Sequence, residues 1–211
     1  MEKQNNMLFD VNEVDLKTLK NNPKKFWNDV QVIGYECFAN CKDLKEVELP
    51  KDVWNIGSSA FKNCENLEIL KINSNFISVA SDAFSGCTRL SKIIFLGPVE
   101  RVDFKIENFG NLKYFAINSD GHVVLCSDFV LGEYDEIITL EELRSKLFEE
   151  TYESSSESES SKDLWRTFLW SLFGVKYGPY GDVNSNYNSE LYIPVVSFVK
   201  RLKEFIEQIK K

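Results

Sequence analysis

The residues of this chain that could carry chemistry are five cysteines, one histidine and a few neighbouring acidic side chains. Cys41, Cys64 and Cys87 are spaced 23 residues apart. That is far wider than the CxxC or Cys/His spacing of a zinc site. The only histidine, His122, forms no Cys–His or Ser–His pair that spacing alone would propose. These residues predict no catalytic centre, no metal site and no cofactor.

Two other patterns are excluded on similar grounds. The acidic pairs at 141–142 and 149–150 belong to the surface of a predicted helix, and nothing places them opposite other carboxylates. The stretch GVKYGPYG at 174–181 lacks the Lys-Ser ending of a phosphate-binding loop, and it does not join a strand to a helix. We therefore expect that the protein is not an enzyme.

The cysteines belong instead to a repeated pattern with a step of 23 residues. The step recurs at Ile33, Ile56, Val79 and Val102, at Phe38, Phe61 and Phe84, and at Leu44, Leu67 and Leu90. A fixed period of this length indicates stacked units that bury a common core. In a worn fourth copy Phe109 stands at the cysteine position. A position that accepts cysteine or phenylalanine is apolar, so we expect the thiols to be buried packing residues.

Each copy predicts a strand, a turn and a short helical piece. In LKEVEL, Val47 and Leu49 point to one side of a strand, while Glu46 and Glu48 point to the other. The inward residues of the later copies are Leu70, Ile72, Ile93, Phe95, Phe115 and Ile117. These strands should stack in chain order into a narrow parallel sheet.

The connection after each strand has its own pattern. Pro50 marks a turn, and a short extended piece then leads to Gly34 or Gly57, where we expect a positive φ. The sequences AFKNC and AFSGC follow as a single helical or 3₁₀ turn with Phe and Cys facing inward.

The combined pattern IGxxAFxxCxxLxxVxLPxxVxxIGxxAFxxC resembles the BspA-type leucine-rich repeat, which occurs in bacterial surface proteins and in protozoan parasites. The resemblance spans residues 30–117 and implies an α/β fold, a short solenoid used for binding, without catalytic residues. The fourth copy departs from the pattern, because Asp103 replaces the glycine and Phe109 replaces the cysteine. Such a copy is typical of a terminal repeat.

Composition divides the chain into five predicted segments. They are an amino-terminal helical cap at 1–29, about four repeats of 22–23 residues at 30–117, a carboxy-terminal cap of a hairpin plus a helix at 118–152, a Ser/Glu linker at 153–162 and a helical tail unit at 163–211. Phe26 and Trp27 should cover the open end of the first repeat, because that repeat has no preceding neighbour. Asp120 and Gly121 should form the turn of the hairpin.

Charge and hydropathy narrow the partners and the compartment. The chain carries 33 acidic and 25 basic residues, a formal net charge of −8, which argues against a nucleic-acid ligand. It contains no run of 18 apolar residues that could span a bilayer. The first residues lack the apolar core of a secretory signal, so we expect a cytoplasmic protein, or a surface protein if a leader is missing.

The outward strand positions form two rows across the predicted sheet. The first row is Glu46, Ile69, Lys92 and Tyr114, and the second is Glu48, Lys71, Ile94 and Ala116. Exposed Ile69, Ile94 and Tyr114 among charges would make an apolar interface centre with a polar rim. We therefore predict a protein or peptide ligand on this face, with no metal ion. The carboxy-terminal helices could instead cover the same positions as an internal lid.

Two other functions stay open. The aromatic helix predicted at 164–173 and the lysine-bearing helix predicted from 194 could hold the protein on a membrane surface. The family resemblance also allows an adhesion fragment of a cell-surface protein.

Overall fold

The computed structural model describes residues 2–4, 6–9, 11, 13–74, 76–97, 101–103, 109, 111–128, 133–143 and 145, together with 177–178, 181–182, 203–204 and 206–208. The predicted linker at 153–162, the aromatic helix at 164–173 and most of the last helix lie outside this part of the chain.

Two helices and fourteen strands have both ends within the described residues, and residues 140–143 and 206–208 are also helical. In chain order they are β1 (Glu2–Gln4), β2 (Met7–Phe9), α1 (Glu13–Asn21), α2 (Pro23–Trp27), β3 (Val32–Ile33), β4 (Glu46–Leu49), β5 (Asn55–Ile56), β6 (Ile69–Ile72), β7 (Phe76–Val79), β8 (Lys92–Phe95), β9 (Arg101–Asp103), β10 (Tyr114–Asn118), β11 (Val123–Cys126), β12 (Tyr134–Thr139), β13 (Tyr177–Gly178) and β14 (Gly181–Asp182). The Asn22 side chain caps α2 by accepting a hydrogen bond from the Lys25 amide.

The strands make two six-stranded sheets and one small hairpin. The first sheet has the order β1-β2-β3-β5-β7-β9, in which every pair except β1–β2 is parallel. The second sheet has the order β12-β10-β11-β8-β6-β4. Its β4, β6 and β8 are parallel, and Glu46 pairs with Ile69, which pairs with Lys92. The predicted parallel pairing of the first three strands, at a step of 23 residues, is confirmed.

The predicted place of the fourth strand is wrong. The strand with Phe115 and Ile117, β10, does not pair with β8, because β11 lies between them and is antiparallel to both. The chain turns back after β10 through a bond from the Gly121 amide to the Asn118 carbonyl. All four residues of β11 are buried, so this strand can occupy the middle of the sheet, covered on both faces.

The core contains a column of phenylalanine rings between the two sheets. Phe38 stacks on Phe61 with ring centroids 4.8 Å apart, and Phe61 stacks on Phe84 at 5.0 Å. Phe109 ends the column 5.4 Å from Phe84. At the other end Phe26 and Trp27 are buried, with their ring centroids 6.0 and 6.1 Å from the Phe38 ring. Both ends of the column are therefore closed by aromatic side chains.

The expected positive φ at Gly34 and Gly57 is wrong. The left-handed positions of the repeat lie two residues later, at Glu36 and Ser59 with φ of 50° and 54°, and again at Asn40, Asn63 and Gly86 with φ of 62°, 58° and 79°. Gly57 is needed for a different reason, because a Cβ there would lie 3.0 Å from the Ile33 carbonyl oxygen and 3.1 Å from the Gly34 carbonyl carbon. The glycines allow the backbones of successive repeats to approach closely.

We expect Gly57→Ala to lower the free energy of unfolding by about 1–3 kcal/mol, because the added methyl group pushes against backbone that cannot move alone. Urea unfolding followed by circular dichroism measures this change. Gly97→Ala is the matched control, since its added Cβ would meet the end of the flexible Asn73 side chain at 3.2 Å. Equal destabilisation by the two substitutions would contradict the close-approach explanation.

Candidate binding surface on the second sheet

The outer face of the second sheet is the face that carries Glu46 and Glu48. Strand pairing extends the two predicted rows. The first row runs Glu46, Ile69, Lys92, Cys126, Tyr114 and Thr139, and the second runs Glu48, Lys71, Ile94, Val124, Ala116 and Ile137. The predicted residues thus share one face, but β11 separates Tyr114 from Lys92. Sequence reasoning missed Val124, Cys126 and Ile137. The unbroken apolar run VVLC was the available signal for a strand buried on both faces.

Two strands at one end of this face, β4 and β6, are wholly or partly accessible to solvent. Glu46 and Glu48 are exposed, whereas Ile69 and Lys71 are partly buried. The Lys71 Nζ lies 2.6 Å from a Glu46 carboxylate oxygen, and this hydrogen bond raises the pKa of Lys71. We call Glu46, Glu48, Ile69 and Lys71 the open half of the outer face. It combines one accessible aliphatic side chain with charges of both signs.

The remaining strands are covered on the same face. Ala116, Val124 and Cys126 are buried in a cluster of their own, separate from the main core. Ile94, Tyr114, Tyr134 and Ile137 are partly buried against this cluster. Ile69, Ile94 and Tyr114 were all expected to be exposed, and all three are partly buried. We call Ala116, Val124 and Cys126, with the side chains packed against them, the covered half.

The order and direction of the strands explain in part why side chains cover this half of the outer face. Strands β11 and β12 run in the same direction with β10 between them, so the chain must return along the sheet from the end of β11 to the start of β12. Glu133 and Tyr134 end that connection, and both contact Lys92 on the outer face. Glu133 forms an ion pair with Lys92, whose Nζ lies 5.7 Å from the centre of the Tyr134 ring. These contacts fix Tyr134 over the sheet.

Burial also sets the protonation of this cluster. It raises the pKa of Tyr134 to about 12 and raises the pKa of the Cys126 thiol. Both groups are therefore neutral at neutral pH. Lys92 brings a cation to the border of this cluster, and Glu133 balances its charge. The covered half thus behaves as a packed apolar patch with one ion pair at its border.

Residues 17–124 match the model of the BspA type leucine-rich repeat region, with 6 copies. The chain belongs to this family. The model counts six copies where the sequence pattern at 30–117 indicates about four, and its range also includes α2 and the first two residues of β11. No curated protein and no solved structure matches the chain.

In this BspA-type repeat the cysteines serve packing, as the residue pattern predicts. All five thiols are buried. The Cys64 Sγ donates to the Phe38 carbonyl at 3.0 Å, and the Cys87 Sγ donates to the Phe61 carbonyl at the same distance. A hydrogen bond with Cys87, together with burial, raises the pKa of Cys64, and burial raises the pKa of Cys41 to about 11. Protonated thiols of this kind are poor nucleophiles.

Two further features are absent from the part of the chain that the structure describes, namely a metal-binding group and a membrane-spanning helix. Within the described residues, no group of three or more His, Cys, Asp or Glu side chains could hold a metal ion. No helix in that same part of the chain is both long and apolar enough to cross a membrane.

We expect Tyr134→Ala to open the covered half and make Cys126 reactive, because the Tyr134 ring packs on the cluster that contains this thiol. The measurement is alkylation of the native protein at mildly alkaline pH, with mass spectrometry to identify the labelled cysteine. In the unmodified protein Cys126 should react slowly, since its raised pKa keeps it protonated.

Tyr35→Ala is the control for this experiment. Its side chain is 65% exposed and takes no part in the cluster, so the labelling of Cys126 should not change. If Cys126 reacts equally fast in the two variants, Tyr134 does not cover the sheet.

Proposed function

We propose that this protein is a non-enzymatic interaction module that binds a protein or peptide on the outer face of its second sheet. The paired parallel strands would form a short solenoid of about four repeats, with caps at both ends. Membership of a leucine-rich repeat family supports the general role, because stacked repeats present extended surfaces to partners. Because the covered half is packed with its own side chains, we place the binding site on the open half.

The contrast between the two halves carries this proposal. In the covered half, Ala116, Val124 and Cys126 are buried, and Tyr134 and its neighbours pack against them. In the open half, Ile69 is partly accessible and lies beside the Lys71–Glu46 ion pair. An apolar centre surrounded by charged groups is the usual arrangement of a protein interface. Ile94 of the covered half pairs with Lys71 of the open half and would extend the apolar centre.

Further parts of the proposal concern chemistry and compartment. A role without catalysis is supported by the five thiols, which are all buried, and of which Cys64 and Cys87 donate hydrogen bonds to backbone carbonyls. The net charge of −8 favours a protein partner over a nucleic acid. We propose no metal or cofactor, and a cytoplasmic location.

The membrane-surface and adhesion alternatives gain no specific support. The membrane alternative depends on the aromatic helix at 164–173 and on the last helix, and nearly all of these residues lie outside the described part of the chain. The adhesion alternative depends on the resemblance alone. Protein or peptide binding is therefore the function that the geometry supports best.

We expect Ile69→Asp to weaken partner binding by about tenfold or more, because a buried charge at the centre of an interface costs more than one at its rim. A partner would first be captured with the immobilised protein. Its affinity for each variant would then be measured by biolayer interferometry. Glu46→Lys gives a second test, since this exposed side chain can be reversed in charge without changing the core.

Gln31→Asp is the matched control, because it places the same new charge on an exposed position beside the first sheet. Thermal melts confirm that each variant is folded. Unchanged affinity in both folded open-half variants would place the binding site elsewhere.

A further inference from the structure

The edge of the open half has backbone groups directed away from the rest of the sheet. Strand β4 is the last strand on its side, and β6 is its only pairing partner among the described elements. The Lys45 carbonyl accepts from the Ile69 amide at 3.2 Å, and the Leu49 carbonyl accepts from the Asn73 amide at 3.1 Å. Because alternate residues of a strand bond the same neighbour, Glu46 and Glu48 direct their N–H and C=O groups to the free edge.

The side chains of β4 define what a further strand would meet. Val47 and Leu49 are 1% and 0% exposed and belong to the core, whereas Glu46 and Glu48 are exposed on the outer face. Lys71 is bonded to Glu46, and Glu48 forms no ion pair within the described part of the chain. An added strand would therefore find free backbone donors and acceptors and two exposed carboxylates at one edge.

Charge selects among possible occupants of this edge. A second copy of β4 would bring glutamates opposite glutamates, and like charges directly opposite each other destabilise a pair of strands. A segment with lysine or arginine at every second position would instead place cations beside Glu46 and Glu48. Its intervening side chains would lie on the inner face, beside Val47 and Leu49.

We propose that β4 binds an extended, basic segment of a partner protein as an additional strand of the second sheet. This inference rests on the proposed function, because it names the edge at which the peptide binds and the chemistry that the peptide requires. Backbone hydrogen bonds supply affinity in this mode of recognition, and alternate side chains supply specificity.

The test uses the full chain and a fluorescein-labelled heptapeptide that alternates lysine with threonine, with binding followed by fluorescence anisotropy. We expect Glu48→Pro to weaken binding about tenfold or more, because proline removes the N–H at the free edge. The substitution removes no hydrogen bond to β6, so the fold should be kept. The double substitution Glu46→Gln with Glu48→Gln should also weaken binding and reduce its dependence on salt.

Two controls separate strand addition from general attraction between charges. Asp120→Asn removes one exposed acidic charge from a turn at the other end of the sheet and should leave the affinity unchanged. A heptapeptide of the same composition with contiguous lysines should bind more weakly than the alternating one. Equal binding of the two peptides, or unchanged binding by Glu48→Pro, would overturn the proposal. If Glu48→Pro does not fold, a heptapeptide N-methylated at alternate amides tests the same hydrogen bonds.

The outcomes also separate this inference from the proposed function. If the heptapeptide fails to bind while partner capture depends on Ile69, the edge proposal is wrong and the outer-face function stands. If the heptapeptide binds at β4 and Ile69→Asp leaves partner binding unchanged, the edge is correct and the outer face is not the binding site.

Discussion

One spacing governs the whole repeat region, namely the distance between neighbouring strands of a sheet, about 4.8 Å. The stacked rings of Phe38, Phe61 and Phe84 repeat at 4.8 and 5.0 Å, so the aromatic column advances in step with the strands. Every layer between the two sheets must keep this step. Glycine at Gly57 follows from it, since a side chain there would hold the backbones of successive repeats apart.

The same spacing determines where the thiols of the repeats lie. Each of two thiols donates a hydrogen bond to the preceding repeat. Cys64 donates to the Phe38 carbonyl, and Cys87 donates to the Phe61 carbonyl. Polar side chains on the surface follow the same step, and the Asn63 amide donates to the Asn40 side chain at 3.2 Å. The hydrogen bond between Cys64 and Cys87, together with burial, raises the pKa of Cys64, whereas the same bond lowers the pKa of Cys87. Both thiols are buried in the stack.

The two ends of the second sheet differ in how far their outer face is covered, and this difference determines which end is accessible to a partner. At one end the chain reverses into β11, and Tyr134 and the Glu133–Lys92 ion pair lie on the outer face beside a buried apolar cluster. At the other end β4 keeps a free edge with two exposed glutamates. Charged edge strands are protected from pairing with copies of themselves, yet they remain available to a strand of opposite charge.

The sequence by itself determined the repeat, the inward residues and the parallel pairing of β4, β6 and β8, because all of these follow from a local alternation repeated at a constant step. It did not determine the place of β10, since either strand of the β10–β11 hairpin could pair with β8, and in the structure β11 does. The sequence placed Tyr114 in the binding row, but only the tertiary structure showed Tyr134 packed over the same patch. Contacts between residues distant in the chain decide which outward positions stay open, and periodicity carries no information about them.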